Sequence, residues 1–188
     1  MCGRYRFSED SVDGKLIALI RVMERKYPGE YRTGEIFPGD PAPAMIAREG
    51  RIVAVPAFFG FPGFQDGKLL INARGETAAE KKAFAESFRE RRIVLPATGF
   101  YEWDKQKSKY LFTVEALSVL YLCGLYRIVD GRYRFVILTR AANESMIETH
   151  DRMPVIVGED EVRPYLTDPA AAAEIVANAA PELKRHEV

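Results

Sequence analysis

Alternation of hydrophobic and polar residues over short stretches is the main pattern of this chain, and it is typical of β-strands. The tight-turn sequences Glu49-Gly50-Arg51 and Asp130-Gly131 each separate two such stretches and therefore predict β-hairpins. The predicted strands cover residues 2–7, 44–47, 52–59, 93–96, 99–103, 110–114, 119–128, 133–139 and 155–157.

Helical spacing of hydrophobic residues is limited to a few segments. Ser8 is predicted to cap a helix whose apolar face holds Val12, Leu16, Leu19, Ile20 and Met23. Thr77 is predicted to cap a second helix that reaches Arg91, and residues 143–149 and 170–180 are the other helical segments. Because strands outnumber helices, the sequence predicts an α+β fold. It consists of a mainly antiparallel β-sheet or open barrel-like core with peripheral helices, in a single domain spanning residues 1–188.

The charge balance and the cysteine count narrow the possible functions. The 188 residues include 27 Lys and Arg and 27 Asp and Glu, so a DNA-binding surface has to come from local clustering of charge. Cys2 and Cys123, far apart in the sequence, do not form a disulfide framework or a metal site, and no cofactor is expected. The chain shows neither a signal-peptide pattern nor a membrane span, which predicts a cytoplasmic protein without a membrane partner.

The second residue, Cys2, has the most distinctive chemistry. Enzymes that remove the initiator methionine accept a small residue after it, so the mature chain can begin with Cys2. The thiol and the α-amine would then lie on adjacent carbons, with ordinary pKa values near ~8.5 and ~7.7–8.0. An aldehyde can form an imine with the amine, and the thiol can close a five-membered ring on the same carbon. The structural alternative is an ordinary buried cysteine.

Three further polar residues lie in apolar, strand-like surroundings. Asn72 follows an apolar run, Glu102 is flanked by two aromatic residues, and His150 follows a predicted helix. Desolvation between aromatic rings can raise the pKa of the Glu102 carboxyl. Because His186 lies in a polar tail, His150 is the candidate for histidine acid–base catalysis. Taken singly, each residue has a structural alternative: a turn or cap for Asn72, a paired surface acid for Glu102 and a hydrogen-bonded core residue for His150.

These residues belong to six segments that occur in a fixed order along most of the chain. The segments are Met1-Cys2-Gly3-Arg4 and residues 70–77 (LINARGET), 95–103 (LPATGFYEW), 123–125 (CGL), 137–139 (ILT) and 150–154 (HDRMP). Together they resemble the SOS response-associated peptidase (SRAP) family, which crosslinks to abasic sites in single-stranded DNA. One segment alone is a weak signal, whereas the ordered set is a strong one.

The resemblance implies a mechanism and a set of site residues. Cys2 would be the nucleophile that forms an imine, and then a thiazolidine, with the C1′ aldehyde of the ring-opened abasic sugar. Glu102 would assist sugar opening and proton transfer, His150 would shuttle protons, and Asn72 would hold the near-attack geometry. The implied DNA contacts are three arginines and two aromatic residues, namely Arg4, Arg74, Arg152, Phe59 and Trp103.

The resemblance also implies the biological setting. Removal of Met1 would be autocatalytic, a peptidase reaction, and the chemistry on DNA would be lyase-like. The expected partner is single-stranded DNA that contains abasic sites, which the covalent protein–DNA linkage would protect during the DNA damage response. The implied protein is a monomer that binds no metal and is nucleoid-associated when bound to DNA.

One segment departs from the family, and two other functions stay open on the residues alone. A tryptophan-rich stretch usually precedes the Asn-Ala-Arg motif, and residues 58–64, with four phenylalanines, take its place here. The first alternative is an N-terminal-nucleophile amidohydrolase, glutaminase-like, in which the Cys2 thiol attacks an amide. The second is a non-catalytic binder of single-stranded nucleic acid. Release of glutamate from glutamine tests the first, and comparison of affinities for intact and abasic strands tests the second.

Overall fold

The computed structural model describes residues 2–8, 13–63, 65, 67–115 and 117–188. The strands are β1 Arg4–Phe7, β2 Gly34–Ile36, β3 Pro41–Arg48, β4 Arg51–Phe59, β5 Phe61–Pro62, β6 Leu69–Leu70, β7 Asn72–Arg74, β8 Arg92–Ala97, β9 Gly99–Trp103, β10 Lys109–Thr113, β11 Leu120–Val129, β12 Arg132–Ala141, β13 Arg152–Pro154, β14 Ile156–Val157 and β15 Lys184–Glu187. The helices are α1 Gly14–Lys26, α2 Gly75–Ala78, α3 Ala85–Glu90, α4 Glu159–Thr167 and α5 Pro169–Ala177.

The larger sheet contains a ring of strands in the order β12-β4-β3-β8-β11, in which β11 pairs again with β12, and β7, β13 and β14 pair with members of this ring. All pairs in this ring are antiparallel except β12–β4, which is parallel through Arg134 opposite Phe58 and Phe135 opposite Phe59. The predicted α+β fold with a barrel-like, mainly antiparallel core is confirmed. The short parallel pairing of β12 with β4 closes the ring.

The smaller sheet, in the order β15-β10-β9-β1-β2, holds the N-terminal strand. In the antiparallel pair of β1 and β9, Arg4 lies opposite Tyr101. This register brings Cys2 and Gly3 alongside the next two residues of β9, Glu102 and Trp103. The N-terminal residues and the predicted acid are therefore neighbours, although they are far apart in the sequence.

Both predicted hairpins form, and their turns explain why. Glu49 and Gly50 have φ angles of 51° and 73°, and Asp130 and Gly131 have φ angles of 50° and 73°. Two successive residues with positive φ give the turn whose twist matches that of a two-stranded hairpin. The loop sequences therefore set the register of β3 with β4 and of β11 with β12.

Four local predictions need correction. Helix α1 begins at Gly14, because the Asp13 carboxylate accepts hydrogen bonds from the backbone N–H groups of residues 15 and 16 at 2.9 and 3.1 Å. Ser8 is therefore not its cap, and Val12 lies outside the described residues. The helix predicted from Thr77 to Arg91 is divided into α2 and α3 by a run of turns. Residues 143–149 form successive turns rather than a helix, and the polar tail pairs with β10 as the edge strand β15.

Alternate residues of the ring strands divide between two hydrophobic clusters, as expected for a pleated strand. Ile137 belongs to the first cluster, which also contains Cys2 and Tyr5, whereas Val136 and Leu138 belong to the second. Residues of α3, α4 and α5 pack in the second cluster, which confirms the peripheral position of these helices. In the described part of the chain, no helix is long and apolar enough to cross a membrane.

Candidate active site

Three of the four predicted catalytic residues, Cys2, Asn72 and Glu102, come together just before the start of β1, where Asn72 reaches Cys2 from β7 of the larger sheet. The Cys2 side chain is fully buried, and Asn72 and Glu102 are 8% and 5% exposed. The Asn72 side-chain amide donates a hydrogen bond from Nδ2 to the carbonyl oxygen of Cys2 at 3.1 Å. This bond fixes the backbone of the residue that carries the candidate nucleophile.

The electrostatic surroundings keep the Cys2 thiol protonated. Burial raises its pKa well above the ordinary value, and the nearby Glu102 carboxylate raises this pKa further. The Sγ atom lies 3.8 Å from the carbonyl oxygen of Arg4, a weak contact in which the S–H group donates. The sulfur at rest is a neutral thiol, which is a poor nucleophile compared with a thiolate.

Asn72 is held by the pairing of β7 with β12, in which it lies opposite Ile137. Its side-chain oxygen Oδ1 is buried and has no hydrogen-bond partner among the described residues. A buried acceptor without a partner costs free energy, so such groups are common where a ligand supplies the missing donor. A substrate hydroxyl or the amine of Cys2 can supply that donor.

His150 lies in the turn before β13, with a half-buried side chain. Its Nδ1 atom accepts a hydrogen bond from the backbone N–H of Arg152 at 3.0 Å, and the Asp151 carboxylate lies 2.8 Å from the same nitrogen. In the neutral tautomer with its proton on Nε2, Nδ1 accepts this bond, whereas the protonated ring can donate from Nδ1 to Asp151. His150 thus has a partner in either protonation state. Within the described residues, no hydrogen bond joins it to Cys2 or Asn72.

Arg152, which the resemblance implies as a phosphate contact, has partners within the protein. Its guanidinium forms a two-pronged ion pair with Glu76, at 2.5 and 2.7 Å, and donates to the backbone oxygen of Thr139 at 2.7 Å. The side chain is only 14% exposed. These hydrogen bonds lower the pKa of Glu76 to about 2. The pair connects α2, which directly follows the Asn72 strand, to the strand that follows His150.

The half-buried Arg4 and Trp103 form a group of a cation and aromatic rings on the smaller sheet, together with Phe37. The Arg4 guanidinium lies 4.5 Å from the ring centroid of Phe37 and 4.8 Å from that of Trp103, and it pairs with Glu35 at 3.2 Å. Phe37 is 40% exposed. Phe37 was not predicted as a site residue. Its only sequence signal is its position in a proline- and glycine-rich connection, which does not indicate a contact with Arg4.

The other two predicted DNA contacts have different outcomes. Arg74 is exposed, and no ion pair joins it to another described residue. Phe59 is fully buried, and its ring stacks on Phe135 with a centroid distance of 4.9 Å. The prediction that Phe59 stacks on a base is therefore wrong, since both the alternation of β4 and this stacking place its ring in the core. Its half-buried neighbour Phe58 lies below the guanidinium groups of two arginines instead.

Groups of three or more His, Cys, Asp or Glu side chains that could hold a metal ion do not occur among the described residues.

Comparison with known proteins adds an independent line of evidence. A family model described as SOS response associated peptidase (SRAP) matches residues 1–188. The chain is 27% identical over 189 residues to the abasic site processing protein YedK of Escherichia coli (strain K12), and the match covers 93% of this chain and 83% of YedK. It is 35% identical over 109 residues to the abasic site processing protein YoaM of Bacillus subtilis (strain 168), covering 53% of this chain and 48% of YoaM.

Solved structures show the same fold. A phage-related protein from Bordetella bronchiseptica is 23% identical and superposes with a TM-score of 0.76, covering all of this chain and 94% of that chain. A protein from Bacteroides thetaiotaomicron is 18% identical, with a TM-score of 0.75 over all of this chain and 92% of that chain.

Proposed function

Because the chain belongs to the SOS response-associated peptidase family, we propose that it processes abasic sites in single-stranded DNA by covalent crosslinking through Cys2. The observation that carries the proposal is the buried group at the N-terminus. Cys2 lies beside Glu102, and its carbonyl is held by Asn72 at 3.1 Å. Once its α-amine is free, Cys2 carries an amine and a thiol on adjacent carbons. An aldehyde reacts with this pair of groups to form an imine and then a thiazolidine.

The first step of the proposed reaction uses the α-amine, once hydrolysis of the Met1–Cys2 peptide bond has freed it. The amine nitrogen attacks the C1′ aldehyde carbon of the opened sugar, and loss of one water molecule leaves an imine. The raised pKa of the thiol supports this order, because a neutral thiol does not compete with the amine for the aldehyde. Opening the sugar ring needs a proton at the ring oxygen, and Glu102 is the proposed source.

The second step closes the thiazolidine. The sulfur of Cys2 bonds to the imine carbon, the C=N double bond becomes single, and the thiol proton is transferred to the nitrogen. Asn72 holds the Cys2 backbone in the geometry for this attack, and its Oδ1 accepts a hydrogen bond from the substrate. His150, which has a hydrogen-bond partner in both protonation states, is the proposed proton shuttle for imine formation and reversal.

Access to Cys2 is part of the proposal. The sulfur has no exposed surface in the full chain, so the residues around it have to open before a sugar can reach it. We therefore expect the Cys2 thiol to react slowly with a small alkylating reagent until these residues open. The removal of Met1 is proposed to be autocatalytic, as the resemblance to the family implies.

Proposed contacts to the DNA strand come from side chains near Cys2 that are exposed, as in Arg74, or half-buried, as in Arg4 and Trp103. The guanidinium groups of Arg4 and Arg74 pair with phosphates, and the Trp103 ring stacks on a base next to the lesion. Arg4 would exchange its ion pair with Glu35 for a phosphate, which is possible because the Arg4 side chain is 37% exposed.

A denaturing gel tests the proposal directly. Purified protein is mixed with a labelled single strand that contains one abasic site, or with the same strand containing thymine. A shifted band should appear with the abasic strand and be absent with the intact one. Cys2→Ala, prepared without Met1 so that its α-amine is free, should keep an imine that borohydride traps and lose the stable adduct. Equal adduct from Cys2→Ala without borohydride would contradict the role of the thiol.

A further inference from the structure

A surface cleft of about 480 Å³ lies between the C-terminal end of α1 and the strands β3, β4 and β12. Aromatic rings, prolines and one arginine dominate its lining, which consists of Tyr27, Gly29, Glu30, Pro41, Pro56, Phe58, Gly131, Arg132 and Tyr133. The site around Cys2 does not include any of these residues. Three aromatic rings with a cation beside them are typical of surfaces that hold flat, electron-rich rings with a nearby negative charge.

Phe58 and Arg132 are the residues of the cleft that point to a ligand. The Arg132 guanidinium lies 5.2 Å from the Phe58 ring centroid, and that of Arg134 lies at 5.9 Å. Arg134 also donates to the backbone oxygen of Gly60 at 2.8 Å, which keeps it in place. Arg132 is exposed, and no ion pair joins it to a described residue, including the acidic lining residue Glu30. Its hydrogen-bond donors are therefore available to a phosphate.

We propose that this cleft binds a nucleotide of single-stranded DNA at a position away from the abasic site. The base would stack against the aromatic lining, and Arg132 would pair with the adjoining phosphate. Stacking of this kind is independent of sequence, since every base has a flat π-face. The inference rests on the proposed function, because the strand held at Cys2 is the ligand that continues into the cleft.

The short distance between the Arg4 group and the cleft supports the idea that a single DNA strand reaches both. Phe37 contacts Arg4 beside Trp103, and four residues later Pro41 pairs with Phe58 at the edge of the cleft. Four residue steps span at most ~14 Å of extended chain. The Arg4 group and the cleft are thus separated by a distance that a few nucleotides can cover.

Binding of intact single strands, measured by fluorescence anisotropy, tests the inference. We expect Arg132→Ala to lower the slope of log affinity against log salt by about 0.7, which is the value for one phosphate contact. Phe58→Leu should weaken binding by roughly 5- to 100-fold through loss of stacking. Arg51→Ala is the matched control, because Arg51 is exposed in the same strand β4, at the opposite end. Its seven-residue separation from Phe58 corresponds to ~23 Å along the strand.

Strand length adds a second criterion. The loss caused by Arg132→Ala should be large with strands long enough to reach the cleft and small with strands of a few nucleotides. Three results would overturn the inference. The first is an equal slope of log affinity against log salt for Arg132→Ala, Arg51→Ala and the unaltered protein. The others are a loss of affinity that is the same for short and long strands, and no binding of intact strands. Failure of the proposed function is a different result, namely no adduct between the unaltered protein and an abasic strand.

Discussion

Replacement of Glu76 by glutamine removes one charge from the ion pair that joins the Asn72 strand to the segment after His150. The glutamine keeps the size and shape of the side chain, so the change mainly affects electrostatics. Arg152, 14% exposed, would lose its carboxylate partner while it remains bonded to the backbone of Thr139. A largely buried guanidinium without a counter-ion destabilises the folded state.

The magnitude follows from the pKa of Glu76, which the hydrogen bonds from Arg152 lower from 4.5 to about 2. The difference corresponds to about 3 kcal/mol if it is fully expressed in the free energy of unfolding. The Glu76 side chain is 47% exposed, so solvent screening reduces the expected loss to about 1–2 kcal/mol.

The sign of the pH dependence is fixed, because the carboxyl has a lower pKa in the folded than in the unfolded state. Its contribution to stability is complete above pH 4.5 and decreases as the pH falls toward 2. Urea unfolding at pH values from 2 to 7 should therefore show the unaltered protein and Glu76→Gln differing most at neutral pH and converging in acid. The control is Glu86→Gln, whose ion pair with Arg91 at 2.9 Å involves a 60% exposed carboxylate and should matter less. Equal stability at pH 7, or a difference that does not shrink in acid, would refute the reasoning.

Two other predictions concern stability and catalysis. Arg92, buried to 4% exposure, donates to backbone oxygens at the C-terminal ends of α3 and α4. Arg92→Ala leaves these acceptors without a donor and should lower the free energy of unfolding by about 2–3 kcal/mol, measured by urea unfolding. A loss below about 1 kcal/mol would contradict this role. Glu102→Gln should slow adduct formation, and His150→Ala should mainly affect reversal or ring closure, each by about 10²–10⁴-fold in single-turnover experiments from pH 5 to 9. Formation and release at unaltered rates in both variants would show that neither side chain transfers protons.

Features fixed by a few neighbouring residues could be predicted from the sequence. The hairpin at Asp130-Gly131 followed from two residues that tolerate positive φ. Helix α4 was missed, since Pro164 lies within it and a proline normally argues against a helix interior. The neighbouring positions Phe58 and Phe59 have opposite environments, and a shift of one residue in a strand reverses which of them is buried.

Long-range contacts limited the prediction of the site. Asn72 and Cys2 are 70 residues apart, and only their shared resemblance to one family suggested that they meet. The partner of Arg152 is 76 residues away, and the position of Glu76 within residues 70–77 did not indicate this ion pair. Choices between a phosphate and a protein carboxylate as the partner of an arginine depend on the folded arrangement, which composition and spacing do not encode.

The most direct test of the account is the intact mass of the protein after incubation with an abasic oligonucleotide, for a form that starts at Cys2 and for a form extended before Met1. The account predicts that the first form gains the mass of the oligonucleotide minus one water molecule. In the extended form the Cys2 nitrogen is an amide, whose lone pair is delocalised, so no imine forms and the mass should stay unchanged. Equal adduct formation by the extended form would contradict the claim that the α-amine of Cys2 attacks the sugar.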